Sequence, residues 1–187
     1  MTDLALGVRR AAFGVQGVAV ILGAVLVAAA AQVSVPLPGT PVPMTLQPLA
    51  VLLVGGLLGA RLGALSLILY LAMGAAGLPV FTPTVPLVGV ARLLGPTGGY
   101  LLAYPAAAFA VGAIVRERPT VRRAACGVFA GLVMIHLGGL AQLAILTGNL
   151  SAAARLGTLP FLLGDLVKLI VATAILTKLT PAVRARL

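Results

Sequence analysis

Reactive side chains are scarce in this chain. Its 187 residues hold one cysteine, one histidine, no tryptophan and three acids, against thirteen lysines and arginines. A lone cysteine, Cys126, excludes an internal disulfide and says nothing about redox compartment. One histidine (His136), that cysteine and three carboxylates (Asp3, Glu117, Asp165) are too few for a protein metal cage, so no metal or other cofactor is expected. Paired-carboxylate catalysis lacks material for the same reason, because Asp3 sits in the N-terminal tail and Glu117 in an arginine cluster. Charged residues make up 9% of the chain, where a soluble domain averages about 25%.

Hydrocarbon is what the chain has instead. Residues of the AVILMFWYC set reach 61%, and mean hydropathy is +1.18. Such a composition cannot cover a water-facing surface and points to an all-α integral membrane protein. A helix needs about 20 apolar residues to cross a bilayer. Apolar stretches at 11–33, 47–60, 62–81, 97–115, 124–148 and 158–179 predict six transmembrane helices within a single domain, 1–187. Arg61 alone divides the second stretch from the third, which predicts a tight turn at 59–63. The first stretch carries a signal-like A-x-A pattern at 28–31, but its 23-residue apolar run exceeds the roughly 7–15 of a signal core. It reads as a retained helix.

The net charge of +10 would ordinarily raise nucleic acid as a partner. Its placement argues for topology instead. With a cytoplasmic N-terminus, ten of the thirteen basic residues fall on the inner side: Arg9, Arg10, Arg61, Arg116, Arg118, Arg122, Arg123, Lys178, Arg184 and Arg186. Arg92 and Arg155 fall outside, and Lys168 lies within a span. The positive-inside rule then puts both termini in the cytoplasm. The same charge favours contact with anionic membrane lipid, and no nucleic-acid partner is expected.

Prolines crowd the outer segments. Pro36, Pro38, Pro41 and Pro43 stiffen the first, and Pro79, Pro83, Pro86 and Pro96 bound or fill the second. The first is apolar and uncharged, either a rigid connector or a wall over an outward cavity. Thr45 or Gln47 is placed to cap the second helix, with Pro48 in its first turn. The second segment carries Arg92 and the run G-P-T-G-G-Y at 95–100. That run lacks the Lys-Ser/Thr of a phosphate-binding loop, so the chain shows no ATP site of its own. As a turn it would bring Thr97 and Tyr100 near a ligand.

Inside the membrane the sharpest feature is Asp165 with Lys168, three apart in G-D-L-V-K-L and hence on one helix face. Each charge costs about 2.5–3.5 kcal/mol at a helix centre even on lenient insertion scales, so intramembrane ionisable residues are functional by default. The alternative is a mutually neutralised pair that holds the bundle together. His136 has no acid or cysteine near it in sequence and reads as a hydrogen-bonded packing residue. The spacing Ala24-x-x-x-Ala28 permits close helix contact and suggests a docking face.

Five motifs in order then carry a family resemblance. They are P-L-P-G-T-P-V-P-M-T-L-Q (36–47), L-L-G-A-R-L-G-A-L-S (57–66), G-L-P-V-F (77–81), L-G-P-T-G-G-Y-L (94–101) and G-D-L-V-K-L (164–169). Together they resemble the BioY family, the biotin-specific substrate-binding subunit (S component) of energy-coupling-factor (ECF) transporters. The resemblance implies a six-helix protein of the bacterial cytoplasmic (inner) membrane that captures biotin from outside. It implies as partners an ECF transmembrane coupling subunit and two ATPase subunits, where ATP is hydrolysed; this chain itself is expected not to be an enzyme. Asp165 and Lys168 fall on the family's polar pair in the last helix. Arg92, Gln47, Thr45 and Tyr100 lie in or beside matching segments and complete the candidate substrate-binding set, Arg92 as the candidate for the biotin carboxylate. Where some relatives offer an asparagine in the second outer loop, this chain has Thr82 and Thr84.

Three other readings remain open from the residues alone. Asp165 and Lys168 would serve a proton- or ion-coupled secondary transporter as a relay. His136 with Ser34 or Ser66 would serve an intramembrane hydrolase, although neither serine sits in G-x-S-x-G. An S component for another vitamin would share the topology.

Overall fold

A computed structural model of the chain describes residues 2–187, with side chains from Gly14 onward. The side chains of Asp3, Arg9 and Arg10 therefore lie outside the described residues. Eight α-helices and one short hairpin make up the described chain: α1 (Thr2–Gln32), β1 (Ser34–Val35), β2 (Met44–Thr45), α2 (Gln47–Leu58), α3 (Ala60–Ala75), α4 (Val90–Leu94), α5 (Gly98–Val115), α6 (Val121–Thr147), α7 (Leu150–Gly157) and α8 (Leu162–Arg184). A single 3-10 turn, Leu159–Phe161, joins α7 to α8.

Four segments are long and apolar enough to cross a membrane: Gly14–Gln32, Gly98–Val115, Val121–Thr147 and Leu150–Arg184. The chain is a multi-pass membrane protein of all-α type. Helices α2 and α3 are apolar but have 12 and 16 residues, or about 18 and 24 Å at 1.5 Å per residue. The expected turn between them is a single residue, Gly59, at φ 89°, a left-handed conformation that a side chain resists. Arg184 reaches the same end of the bundle and donates to the carbonyls of Gly56 (2.7 Å) and Gly112 (3.2 Å), free acceptors in the last turns of α2 and α5.

Two of the boundaries that move bear on the site. The third stretch does not run to residue 81: α3 stops at Ala75, and Gly77 (φ 91°) turns the chain into an irregular segment rich in proline. The last helix begins at Leu162 rather than Thr158, so Asp165 stands in its first turn. There a carboxylate faces the positive end of the helix dipole. Its burial comes from the segments folded over it as well as from depth along the helix.

The core follows from which faces meet. Helix α5 packs along α6 and also against α2 and α3, while α8 closes on α2 and α6. One apolar cluster runs through α1, α2, α3, α5 and the outer segments, with Tyr70, Tyr104 and Leu67 deep inside; a second joins α2, α5, α6 and α8 around Leu52, Val111 and Leu176. Ala24 is fully buried in the first cluster, so the expected docking face at Ala24 is spent on this chain's own packing. The outward face of α1 is Val18, Ile21, Leu22 and Val25.

Candidate functional site

The proline-rich first segment folds into a hairpin. Ser34 pairs with Thr45 and Val35 with Met44, and four prolines between or beside them keep the arms extended. Its tip is tied down where the Thr40 hydroxyl donates to the Leu156 carbonyl of α7 (2.6 Å). Val42, Pro43 and Thr45 thereby become one wall of a cavity at this end of the bundle. The connector is a wall.

The second outer segment supplies the next wall. Arg92 sits on the short helix α4, whose C-terminal end is held by α6: the Gln142 amide donates to the carbonyls of Leu93 (3.0 Å) and Gly95 (2.7 Å). The Arg92 side chain is 1% exposed and donates through Nη1 to the Val85 carbonyl (2.8 Å). Burial pushes its guanidinium down from the ordinary value, with the hydroxyls of Tyr70 and Tyr104 acting the other way; a guanidinium nevertheless keeps its charge. Its Nε is buried without a partner, as is Thr97 Oγ1 on the same cavity.

From α2, Gln47 contributes an amide that donates to the Tyr70 hydroxyl (2.6 Å), and Tyr70 in turn donates to the Val80 carbonyl (3.2 Å). Thr45 accepts from the Gln47 backbone N–H (3.2 Å) and donates to its Oε1 (3.3 Å). Of the two residues placed to cap α2, Thr45 thus covers one free N–H, while Gln47 is committed to the cavity instead. The residue at the cap position is Leu46, which makes no side-chain cap bond. Tyr100 turns its ring to the cavity, and its hydroxyl donates to the Gly157 carbonyl, so its contribution to the interior is apolar.

The charged centre comes from α6 and α8. Lys168 Nζ donates to Asp165 Oδ1 at 2.9 Å, and the two residues are 7% and 8% exposed. The second carboxylate oxygen, Oδ2, lies 2.6 Å from His136 Nε2. His136, read as a hydrogen-bonded packing residue, is hydrogen-bonded, but to the acid of the cavity, 29 positions away in sequence and on a neighbouring helix. The hydrolase reading loses its geometry too, since neither Ser34 nor Ser66 lines a cavity with His136, and the Ser66 hydroxyl donates to the Leu62 carbonyl within α3.

All six expected site residues therefore line one cavity, with Thr82, Thr97, Tyr104, Leu132, Ile135, His136 and Phe161 beside them. It is a small cavity of about 60 Å³, open on one side. Its charged groups are an acceptor–donor pair (Asp165, Lys168) and a buried cation (Arg92), joined by the Gln47 amide, the His136 imidazole and the hydroxyls of Thr45, Thr82, Thr97 and Tyr104. Thr82, whose hydroxyl shares a hydrogen bond with Thr84 (3.1 Å), stands at the wall. Sequence reading missed His136, whose acid lies on another helix, and Tyr104, which Tyr100 one turn earlier in α5 could have signalled.

Comparison with known proteins agrees with this architecture. Residues 5–185 match the BioY family. The probable biotin transporter BioY of Pyrococcus horikoshii is 41% identical over 160 residues, covering 86% of this chain and 93% of that protein. The chain belongs to the BioY family. The biotin transporter BioY of Thermotoga maritima is 36% identical over 154 residues, with 82% and 89% covered. Among solved structures, the crystal structure of an S component for biotin from an ECF-type ABC transporter superposes with a TM-score of 0.79 at 26% identity, covering 88% of this chain and 89% of that one.

Proposed function

We propose that this protein captures biotin at the outer face of the cytoplasmic membrane and delivers it as the substrate-binding subunit of an ECF-type transporter. It is a transport subunit and carries out no chemical step on its ligand. One observation carries the reading beyond family membership: a donor–acceptor pair and a buried, charge-retaining guanidinium converge on one largely apolar cavity. Biotin presents the complement of each. The edge of its ureido ring offers an N–H beside a carbonyl, its thiophane ring is apolar, and its valerate ends in a carboxylate. Asp165 accepts from the ureido N–H, Lys168 donates to the ureido oxygen, and Arg92 takes the carboxylate through its free N–H groups. Charge-assisted bonds of this kind are the strong ones. Tyr100, Tyr104 and Phe161 cover the thiophane ring, with Gln47 and Thr45 at the polar rim.

The topology in this reading has six membrane helices, α2 and α3 forming two short ones about Gly59, and both termini in the cytoplasm. The inner-side excess of arginine and lysine supports that orientation. The outward position of the hairpin and of Arg92 supports capture from outside. The partners are one transmembrane coupling subunit and two ATPase subunits, in a bacterial inner membrane; the ECF origin of the solved S component and the lack of a phosphate-binding loop in this chain support that division of labour. Titration calorimetry of the purified protein tests the reading. Biotin is expected to bind tightly at one site, with thiamine and riboflavin silent; tight binding of another vitamin would transfer the architecture to a different substrate.

A further inference from the structure

His136 stands at a boundary. It lines the biotin cavity, and with Leu132 and Asp165 it also lines a second, mostly apolar groove between α6 and α8, walled by Phe129, Leu140 and Leu166. Water therefore has little to offer the Asp165 carboxylate from that side, and the imidazole is its partner there.

We infer that His136 is a positioning residue: its Nε2–H fixes the plane of the Asp165 carboxylate and so aims the remaining lone pairs at the ligand's ureido N–H. The inference rests on the biotin reading above and deepens it. Lys168 lies three residues along the same helix and holds only Oδ1. A carboxylate held at one oxygen by a flexible lysine swings readily, because its terminal torsion is broad. His136 comes from a different helix and holds Oδ2, which turns a pivot into a fixed plane.

The imidazole is itself restrained. Tyr100 meets it edge to face, with ring centroids 6.3 Å apart at 81°, and Tyr100 is pinned by its bond to the Gly157 carbonyl. The bond to an ionised carboxylate, an acceptor only, requires the hydrogen on Nε2. The ring's Nδ1 is buried without a partner among the described residues. Each carboxylate oxygen has about two acceptor sites; Lys168 and His136 take one on each oxygen, and the others are left in fixed directions for the ligand.

Two polar replacements separate positioning from packing. Glutamine places an amide N–H close to the place of Nε2, whereas asparagine is too short to reach Asp165. In His136→Gln, biotin affinity by calorimetry is expected within about threefold of wild type; in His136→Asn and His136→Leu it falls at least tenfold, with unchanged elution from size exclusion. If wild type fails to bind biotin, the functional reading falls. If wild type binds and His136→Asn binds equally well, or Gln and Asn lose affinity alike, the positioning role is overturned while the functional reading stands.

Discussion

His136 and Asp165 meet at 2.6 Å across the α6–α8 contact, and that meeting converts an i,i+3 ion pair into a three-membered polar centre. Lys168 donates to one oxygen of Asp165 and His136 faces the other, both within an end of the bundle that also buries Arg92.

Replacing Lys168 by alanine strands the Asp165 charge beside an apolar groove. Breaking a buried pair from one side costs about 3–5 kcal/mol, and the ligand loses its donor as well. Biotin affinity of Lys168→Ala should fall at least about a hundredfold. Calorimetry in detergent measures it, and near-wild-type affinity would remove the pair from the binding site.

Arg92 distinguishes the two ends of the ligand. Arg92→Gln should weaken biotin much more than biotin methyl ester, which has no carboxylate to lose. The comparison is a pair of competition curves on wild type and variant. Equal losses for acid and ester would reject the carboxylate role and leave Arg92 as a brace for the Val85 carbonyl.

Tyr70 links the cavity amide to the second outer segment by accepting from Gln47 and donating to Val80. Tyr70→Phe keeps the ring's edge contact with Phe81 but leaves a buried N–H and a buried carbonyl unpaired. An unsatisfied buried group costs about 1–3 kcal/mol, so the melting temperature should drop clearly. An unchanged melting curve would mean that the relay contributes nothing to holding that segment.

Gly139 lies where a Cβ would enter the Tyr100 ring. Gly139→Ala should therefore displace Tyr100 and loosen its contact with His136, at the ~1–3 kcal/mol typical of overpacking. Lower thermal stability together with weaker biotin binding is the expected result. A loss of stability with binding intact would show that Tyr100 is not needed to shape the cavity.

Much of this arrangement is visible in the residues themselves. Asp165 and Lys168 are conspicuous because charges inside an apolar helix are expensive, and their spacing of three puts them on one face. The Gly59 turn announces itself through the single arginine between two short apolar runs. The hairpin is harder to read: its prolines declare stiffness, but the pairing of Ser34 with Thr45 depends on where Thr40 is anchored on α7, a long-range contact. The start of α8 is hidden for a related reason, since hydropathy runs unbroken through the Leu159–Phe161 turn. His136 was the least legible of all. Its partner is on another helix, and only the packing of α6 against α8 brings the imidazole to the carboxylate. Ala24 shows the converse failure, because small-residue spacing marks a close contact without saying whether the neighbour belongs to this chain or another.

What decides the function is whether Asp165 and Lys168 hold biotin in this cavity. The most direct measurement is to purify the protein in mild detergent, denature it, and identify the released small molecules by mass spectrometry, with Asp165→Asn and Lys168→Ala prepared alongside. The account predicts near-stoichiometric biotin from wild type and none from either variant. Wild-type protein that releases no biotin and fails to take it up when supplied would contradict it.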